Sequence, residues 1–215
     1  MYVPPAYRVE DDVEAWDFVR AHPFATLAIN GQDGPVLAYA PLVVHVSGPN
    51  QPVELIGHVA RANPFHTTIT EQGCACVAIF RGPDAYVSPS LYPSKQAHGK
   101  VVPTWSYLAA EARGHVSIVR DPALMRPFIE LGTNHMEASR DRPWRVDDAP
   151  ADFVASMERS IVGIRLVVAT LTAKRKISQG KPEADYRSVQ EAFAASAHTS
   201  HQLLSLEMQK ESQKT

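Results

Sequence analysis

The chain has 215 residues, a mass of 23.6 kDa, a formal net charge of −2 and a pI near 6.5. With 45% hydrophobic and 20% charged residues, it has the composition and length to bury a proper core. The slightly acidic balance gives no overall footprint for nucleic acid, so DNA binding would need a local basic patch. No apolar run approaches the roughly 18 residues that suggest a membrane span. Met1-Tyr2-Val3-Pro4-Pro5 lacks the charged-then-apolar plan of a secretory signal, so a cytoplasmic location is expected.

In chain order, residues 11–22 read as a helix, with Asp11 as cap, Glu14 in the capping-box position and Val13, Trp16 and Val19 as an apolar stripe. Pro23 ends it. Residues 24–29 read as a strand, Asn30-Gly31-Gln32-Asp33-Gly34 as a turn, and 35–46 as a second strand interrupted at Pro41. That proline cannot donate to a ladder and marks an edge, a bulge or a strand end. Ser47-Gly48-Pro49-Asn50 turns the chain into a strand at 53–59. A helix over 64–71 follows, with Asn63 as cap and Pro64 at its first position. Residues 74–80 are apolar on both faces, as in a central strand. Cys74 and Cys76 share one face of it, too close for an unstrained disulfide, and read as small buried apolar residues.

A strand at 85–88 is followed by a long polar loop, Ser88 to Lys100, and a strand pair near 102–119. A loop of that length in a compact domain is functional or disordered, and its lysines, serines, tyrosine and histidine favour function. Asp121-Pro122 opens a helix to about Leu131, bent or shortened by Pro127, and 136–149 read as irregular. Pro150 opens another helix with Phe153, Met157 and Ile161 in register; 162–172 form a late strand that returns to the sheet. Pro182 starts a helix with Tyr186, Val189 and Phe193, and the tail from 194 is helix-prone, weakly amphipathic and frayed at its end. Six or seven strands with few helices favour a mainly β barrel with peripheral helices, one domain over residues 1–215. Its barrel strands are expected at about 24–119 and 161–173, its helices at about 121–160 and 182–208.

Phosphate-loop, dinucleotide-binding, nucleophile-elbow and zinc-protease motifs are absent from the sequence, and its 9 histidines form no metal spacing. Two features suggest a ligand. Gly57-His58-Val59-Ala60-Arg61 runs from a strand into the Asn63-Pro64 helix start, placing free N–H groups and a fixed guanidinium where an anion could sit; a plain capped helix with Arg61 in solvent fits equally well. Lys95, Lys100, Thr104, Trp105 and Tyr107 would suit an anionic planar ligand, although lysines prefer solvent and tryptophans fill cores. Lys174-Arg175-Lys176 is a short basic cluster that reads as a solvated turn.

Several segments, in order along nearly the whole chain, resemble the PaiB-like family of FMN-binding negative transcriptional regulators. They include His22-Pro23-Phe24-Ala25-Thr26-Leu27, Gly57-His58-Val59-Ala60-Arg61-Ala62-Asn63-Pro64 and Tyr86-Val87-Ser88-Pro89-Ser90. Tyr92-Pro93-Ser94-Lys95, Val102-Pro103-Thr104-Trp105 and Lys176-Ile177-Ser178-Gln179 complete the pattern. The resemblance implies an FMN-binding split β-barrel related to pyridoxamine-phosphate oxidases, with FMN at a homodimer interface. It implies that Arg61 and Asn63 lie at the phosphate, that the ring runs along 36–42, past Tyr39, and that His58 belongs to the cofactor set. Ser88, Ser90, Tyr92, Lys95, Lys100, Thr104 and Trp105 complete the implied cofactor set, the lysines at the pyrimidine edge. Two positions depart from the pattern, Tyr39 where the family often has a histidine and Ser106 where asparagine is common; both bear on flavin affinity. A regulator, with a DNA or protein partner, is the first implied role. A flavin-dependent oxidoreductase and a haem-binding or haem-degrading protein, with His58 or His98 as ligand, are the alternatives.

Overall fold

The computed structural model describes residues 1–49 and 51–213; Asn50, the last residue of one expected turn, and the extreme end of the tail lie outside them. Helix α1 (Asp12–Ala21) starts where Asp11 accepts the Val13 N–H on its carboxylate at 2.8 Å. Strands β1 (Phe24–Gly31) and β2 (Gly34–Pro41) form an antiparallel hairpin in register from Phe24↔Pro41 to Gly31↔Gly34. Gly34 sits at φ 132°, a conformation L side chains rarely adopt. Alternation sends Ala25, Leu27 and Ile29 into the core and leaves Phe24 outside.

The strand expected at 35–46 is two strands. It breaks at Leu42, whose N–H leaves the ladder to donate to the Pro23 carbonyl at 2.8 Å, and resumes as β3 (Val43–Val46), paired with β4 (Val53–Ala60). A Cβ on Gly57 of β4 would lie 2.4 Å from the Pro41 carbonyl oxygen, so only glycine lets the two backbones approach. The remaining strands are longer than local punctuation suggests. β5 (Cys74–Val87) runs through Gly82-Pro83, β6 (Thr104–Val119) is continuous, and β7 (Ile161–Lys176) takes in Ile161. The order β2-β1-β5-β6-β7-β4-β3 makes an open seven-stranded sheet whose edges are the two halves of the broken segment.

The helices after β4 are α2 (Phe65–Thr68), α3 (Ser94–His98, within the polar loop), α4 (Pro122–Glu137), α5 (Ala151–Arg159), α6 (Glu183–Ala194) and α7 (Thr199–Ser212). α2 is a single turn, shorter than expected. α4 continues through Pro127 well past Leu131, because the apolar spacing Met125, Phe128–Ile129, Gly132, Met136 persists while the proline removes only one helical hydrogen bond.

By packing, the chain divides into two units. The first comprises Met1–Ala15, Arg81–Ala110 and the chain from Thr172 onward, and buries Val87, Tyr92, Ile177, Phe193, Leu204 and Met208. In it Arg175, from the basic cluster, is nearly enclosed by Glu14, Glu207 and Glu211. Lys174 is buried over the Tyr107 ring and Lys176 bonds Thr104. This cluster is therefore internal and paired rather than a solvated turn. The second unit, Trp16–Phe80 and Glu111–Leu171, buries Leu27, Leu55, Phe65, Phe80, Ile164 and Leu166.

Candidate functional site

In the second unit, β4 delivers Arg61 to a turn closed by the Asn63 N–H on the Ala60 carbonyl at 2.9 Å. The Arg61 guanidinium is not loose in solvent. Its Nε donates to the Arg159 carbonyl at 2.8 Å and its Nη2 to the Ile161 carbonyl at 3.0 Å, while its own N–H donates to the Ser160 carbonyl. Of the five N–H donors of a guanidinium, three remain on an exposed edge. Asn63 accepts the Phe65 N–H at 3.0 Å through Oδ1, which leaves its amide NH2 as a donor. His66 bonds the Arg61 carbonyl through Nε2 at 2.9 Å, and its buried Nδ1 has no partner among the described residues. Because α2 is one turn long, the helix dipole expected here is small. The donor set that remains, a pinned guanidinium edge beside an amide, suits a phosphate ester.

The outer face of β1 and β2 is apolar and open. Phe24 and Tyr39 are 66% and 63% exposed with their rings stacked at 6.4 Å, and Leu37 is half-exposed. Thr26 pairs with both Tyr39 and Ile79, and Ala28 with both Leu37 and Val77, so the register carries the patch onto β5. Central β5 is thus buried on its Cys76–Ala78–Phe80 face, while Val77 and Ile79 on the other are half-covered. A flat ring system matches such a surface.

His58, three positions before Arg61, faces a cavity of about 330 Å³ that also takes in Pro41, Ile56 and, from α4 and beyond it, Phe128, Gly132 and Trp144. Burial lowers the His58 pKa below its ordinary 6.5, so the ring is neutral at pH 7.

In the first unit, Ser88 and Ser90 bond each other (Oγ to Oγ 2.7 Å) at the start of a 3-10 turn, Pro89–Leu91. Lys95, Lys100 and His98 are exposed on or beside α3, and Ser94 anchors that helix through two hydrogen bonds to Asp185 of α6. Thr104 accepts from Lys176 Nζ at 2.7 Å. Trp105, half-exposed, donates to Asp84 at 3.1 Å and meets Tyr86 ring to ring at 6.2 Å. Tyr92 is different: it is 2% exposed, in the core, with Lys181 over its ring at 4.8 Å. Ser106 also points inward and is fully buried, whereas Tyr39 is exposed.

A family model described as a "Putative FMN-binding domain" matches residues 1–170. The chain belongs to this FMN-binding family. "Protease synthase and sporulation protein PAI 2" of Bacillus subtilis (strain 168) is 30% identical over 190 residues, 88% of this chain and 87% of that protein. The PaiB-like resemblance is thereby confirmed, and FMN is the cofactor of the family. Among solved structures, the FAD and heme binding protein from Mycobacterium smegmatis superposes with a TM-score of 0.58 at 14% identity, over 84% of this chain and 78% of that chain. A conserved hypothetical protein from Mycobacterium tuberculosis also reaches 0.58, at 16% identity over 85% and 95%. These two show the split-barrel fold.

Of the cavity's α4 side, Phe128 and Ile129 fall on the helix expected to end at about Leu131, whereas Gly132, Thr133, Met136 and Glu137 lie on the part of α4 beyond that expected end. The signal was the apolar spacing that continues past Pro127 to Met136. Among the described residues no cluster of histidine, cysteine or acidic side chains could hold a metal ion, and no helix is long and apolar enough to cross a membrane.

Proposed function

We propose that this chain works as a cytoplasmic, dimeric flavoprotein with a regulatory or redox-sensing role, holding the FMN phosphate at the Arg61 turn. The observation that carries the reading is the pinned guanidinium, whose exposed edge keeps three N–H donors beside the Asn63 amide. Tyr39 and the outer face of β2 offer the ring an apolar bed. A second copy covers the open Phe24–Leu37–Tyr39 face, a run of exposed apolar side chains of the kind that marks protein–protein contacts. That copy brings its own Ser88, Ser90, Lys95, Lys100, Thr104 and Trp105, the lysines stabilising negative charge at the pyrimidine edge. FMN, when bound, supplies the electron chemistry; the chain supplies grip, orientation and charge. The net charge of −2 and the internal pairing of Arg175 and Lys176 favour regulation through a protein or metabolite over direct DNA contact.

Two observations favour further readings. The cavity beside His58 would give a flavin-dependent oxidoreductase room for a substrate. A neutral imidazole is what a haem iron requires, which keeps His58 as a haem ligand; His98 Nδ1 already accepts the Lys100 N–H. One set of measurements on the full chain separates them. One equivalent of FMN per chain and a dimer in solution are expected, with Leu37→Glu giving monomer. A Soret band would favour haem, NAD(P)H-driven turnover an oxidoreductase. A colourless monomer indifferent to added FMN defeats the flavin readings, and one that also gives no Soret band with added haem defeats the haem reading.

A further inference from the structure

We infer that the cavity between α4 and the outer face of β4 binds a small, uncharged aromatic molecule carrying one hydrogen-bonding group. Its volume of about 330 Å³ lies at the lower end of ligand pockets, roughly 300–1,000 Å³. A whole FMN or a haem could enter it only in part, while a phenol- or indole-sized molecule fits within it. The walls are mostly apolar: Val43, Ile56, Phe128, Ile129, Met136 and Trp144.

Charge at the lining is already spoken for. Glu137 reaches the cavity, but Oε1 accepts from Arg140 Nε at 3.0 Å and Oε2 from the Trp144 N–H at 3.1 Å, so its carboxylate is committed. The Thr133 hydroxyl can turn back onto its own helix. His58 has no hydrogen-bond partner among the described residues, and as a neutral ring it presents one donor and one acceptor. An ionic ligand would find no countercharge here. A ring with one hydroxyl or N–H would satisfy His58 and fill the rest with apolar contact.

The second, independent observation is Gly132. A glycine inside a helix costs about 1 kcal/mol against alanine. Neither usual reason for it applies: its φ lies outside the left-handed region, and a Cβ built there would meet nothing within 4 Å. What the missing side chain does is leave the cavity open. Gly132 is therefore a position where size controls occupancy.

The cavity borders the flavin reading at Pro41 of β2 and at His58, but the inference does not rest on that reading, whose grip is Arg61; a protein that never binds FMN could still bind here. The test is calorimetric titration of the full chain with indole and p-cresol, with benzoate as the anionic control. Saturable binding of indole or p-cresol is expected, with benzoate at least tenfold weaker. Gly132→Leu, which fills the space, should weaken binding at least tenfold with no loss of melting temperature, and Gly132→Ala should fall between. The His58 ring proton resonances should shift on adding p-cresol, a readout that stands even if Gly132→Leu fails to fold. No saturable binding, equal binding by Gly132→Leu, benzoate as tight as p-cresol, or stoichiometric displacement of p-cresol by FMN would each overturn the inference.

Discussion

Replacing Arg61 tests whether this turn grips a phosphate or only braces the chain. The guanidinium spends two N–H groups on the Arg159 and Ile161 carbonyls, and these residues lie 98 and 100 positions away in sequence. Removing them in Arg61→Ala returns two carbonyls to water at an exposed site and should cost about 1 kcal/mol of stability. The remaining edge is a charged donor to the phosphate, and losing a charged hydrogen bond costs about 1.5–3 kcal/mol, or roughly 10- to 100-fold in affinity. Riboflavin lacks the phosphate and supplies the control. Flavin fluorescence titrations should therefore show FMN binding falling 10- to 100-fold in Arg61→Ala while riboflavin binding barely changes. Arg61→Lys keeps the charge but not the fork that spans two carbonyls and an anion, so it should recover only part of the FMN preference. An equal fall for both flavins would show that the side chain acts through the fold alone. No change for FMN would remove Arg61 from the site.

Gly57→Ala should destabilise the chain by about 1–3 kcal/mol in urea unfolding, because its Cβ would meet the Pro41 carbonyl at 2.4 Å; an unchanged midpoint would show that β2 and β4 can part freely. Burial disfavours the Asp185 charge, yet the Ser94 hydroxyl and N–H bonds, aided by Lys181 and His98, outweigh it and hold the pKa below 3.8. The stability this carboxylate contributes is thus present above pH 3.8 and lost as pH falls through the lowered value. Ser94→Ala should cost about 1–3 kcal/mol at pH 7 and flatten that acid loss in a stability–pH series. Burial, with the nearby Cys74 adding to it against an opposing backbone bond at Ala28, pushes the Cys76 thiol from 9.0 up to about 12. Cys76 should stay silent to a thiol reagent at pH 8 until the chain unfolds. Its contribution to stability, present below pH 9, should fade as pH rises toward 12 and be missing from Cys76→Ala.

What the sequence shows of this fold follows from how locally each feature is determined. The β1–β2 hairpin is legible because alternation and turn chemistry are both local. The break at Leu42 is not, because it depends on Pro23 accepting one hydrogen bond and on Gly57 leaving room for Pro41. The same distinction divides the candidate site. Strand parity separates outward Trp105 from inward Ser106, whereas Tyr92 sits in a loop without a period, and nothing local announces its burial. Lys174-Arg175-Lys176 looks solvated only while Glu14, Glu207 and Glu211 are out of view. Arg61 is the instructive case. Read locally it is a flexible surface arginine that would lose much side-chain entropy on closing around an anion. Its two carbonyl partners, supplied from the far end of the second unit's sequence, fix the guanidinium in advance, so that less of that entropy remains to be lost when a phosphate arrives.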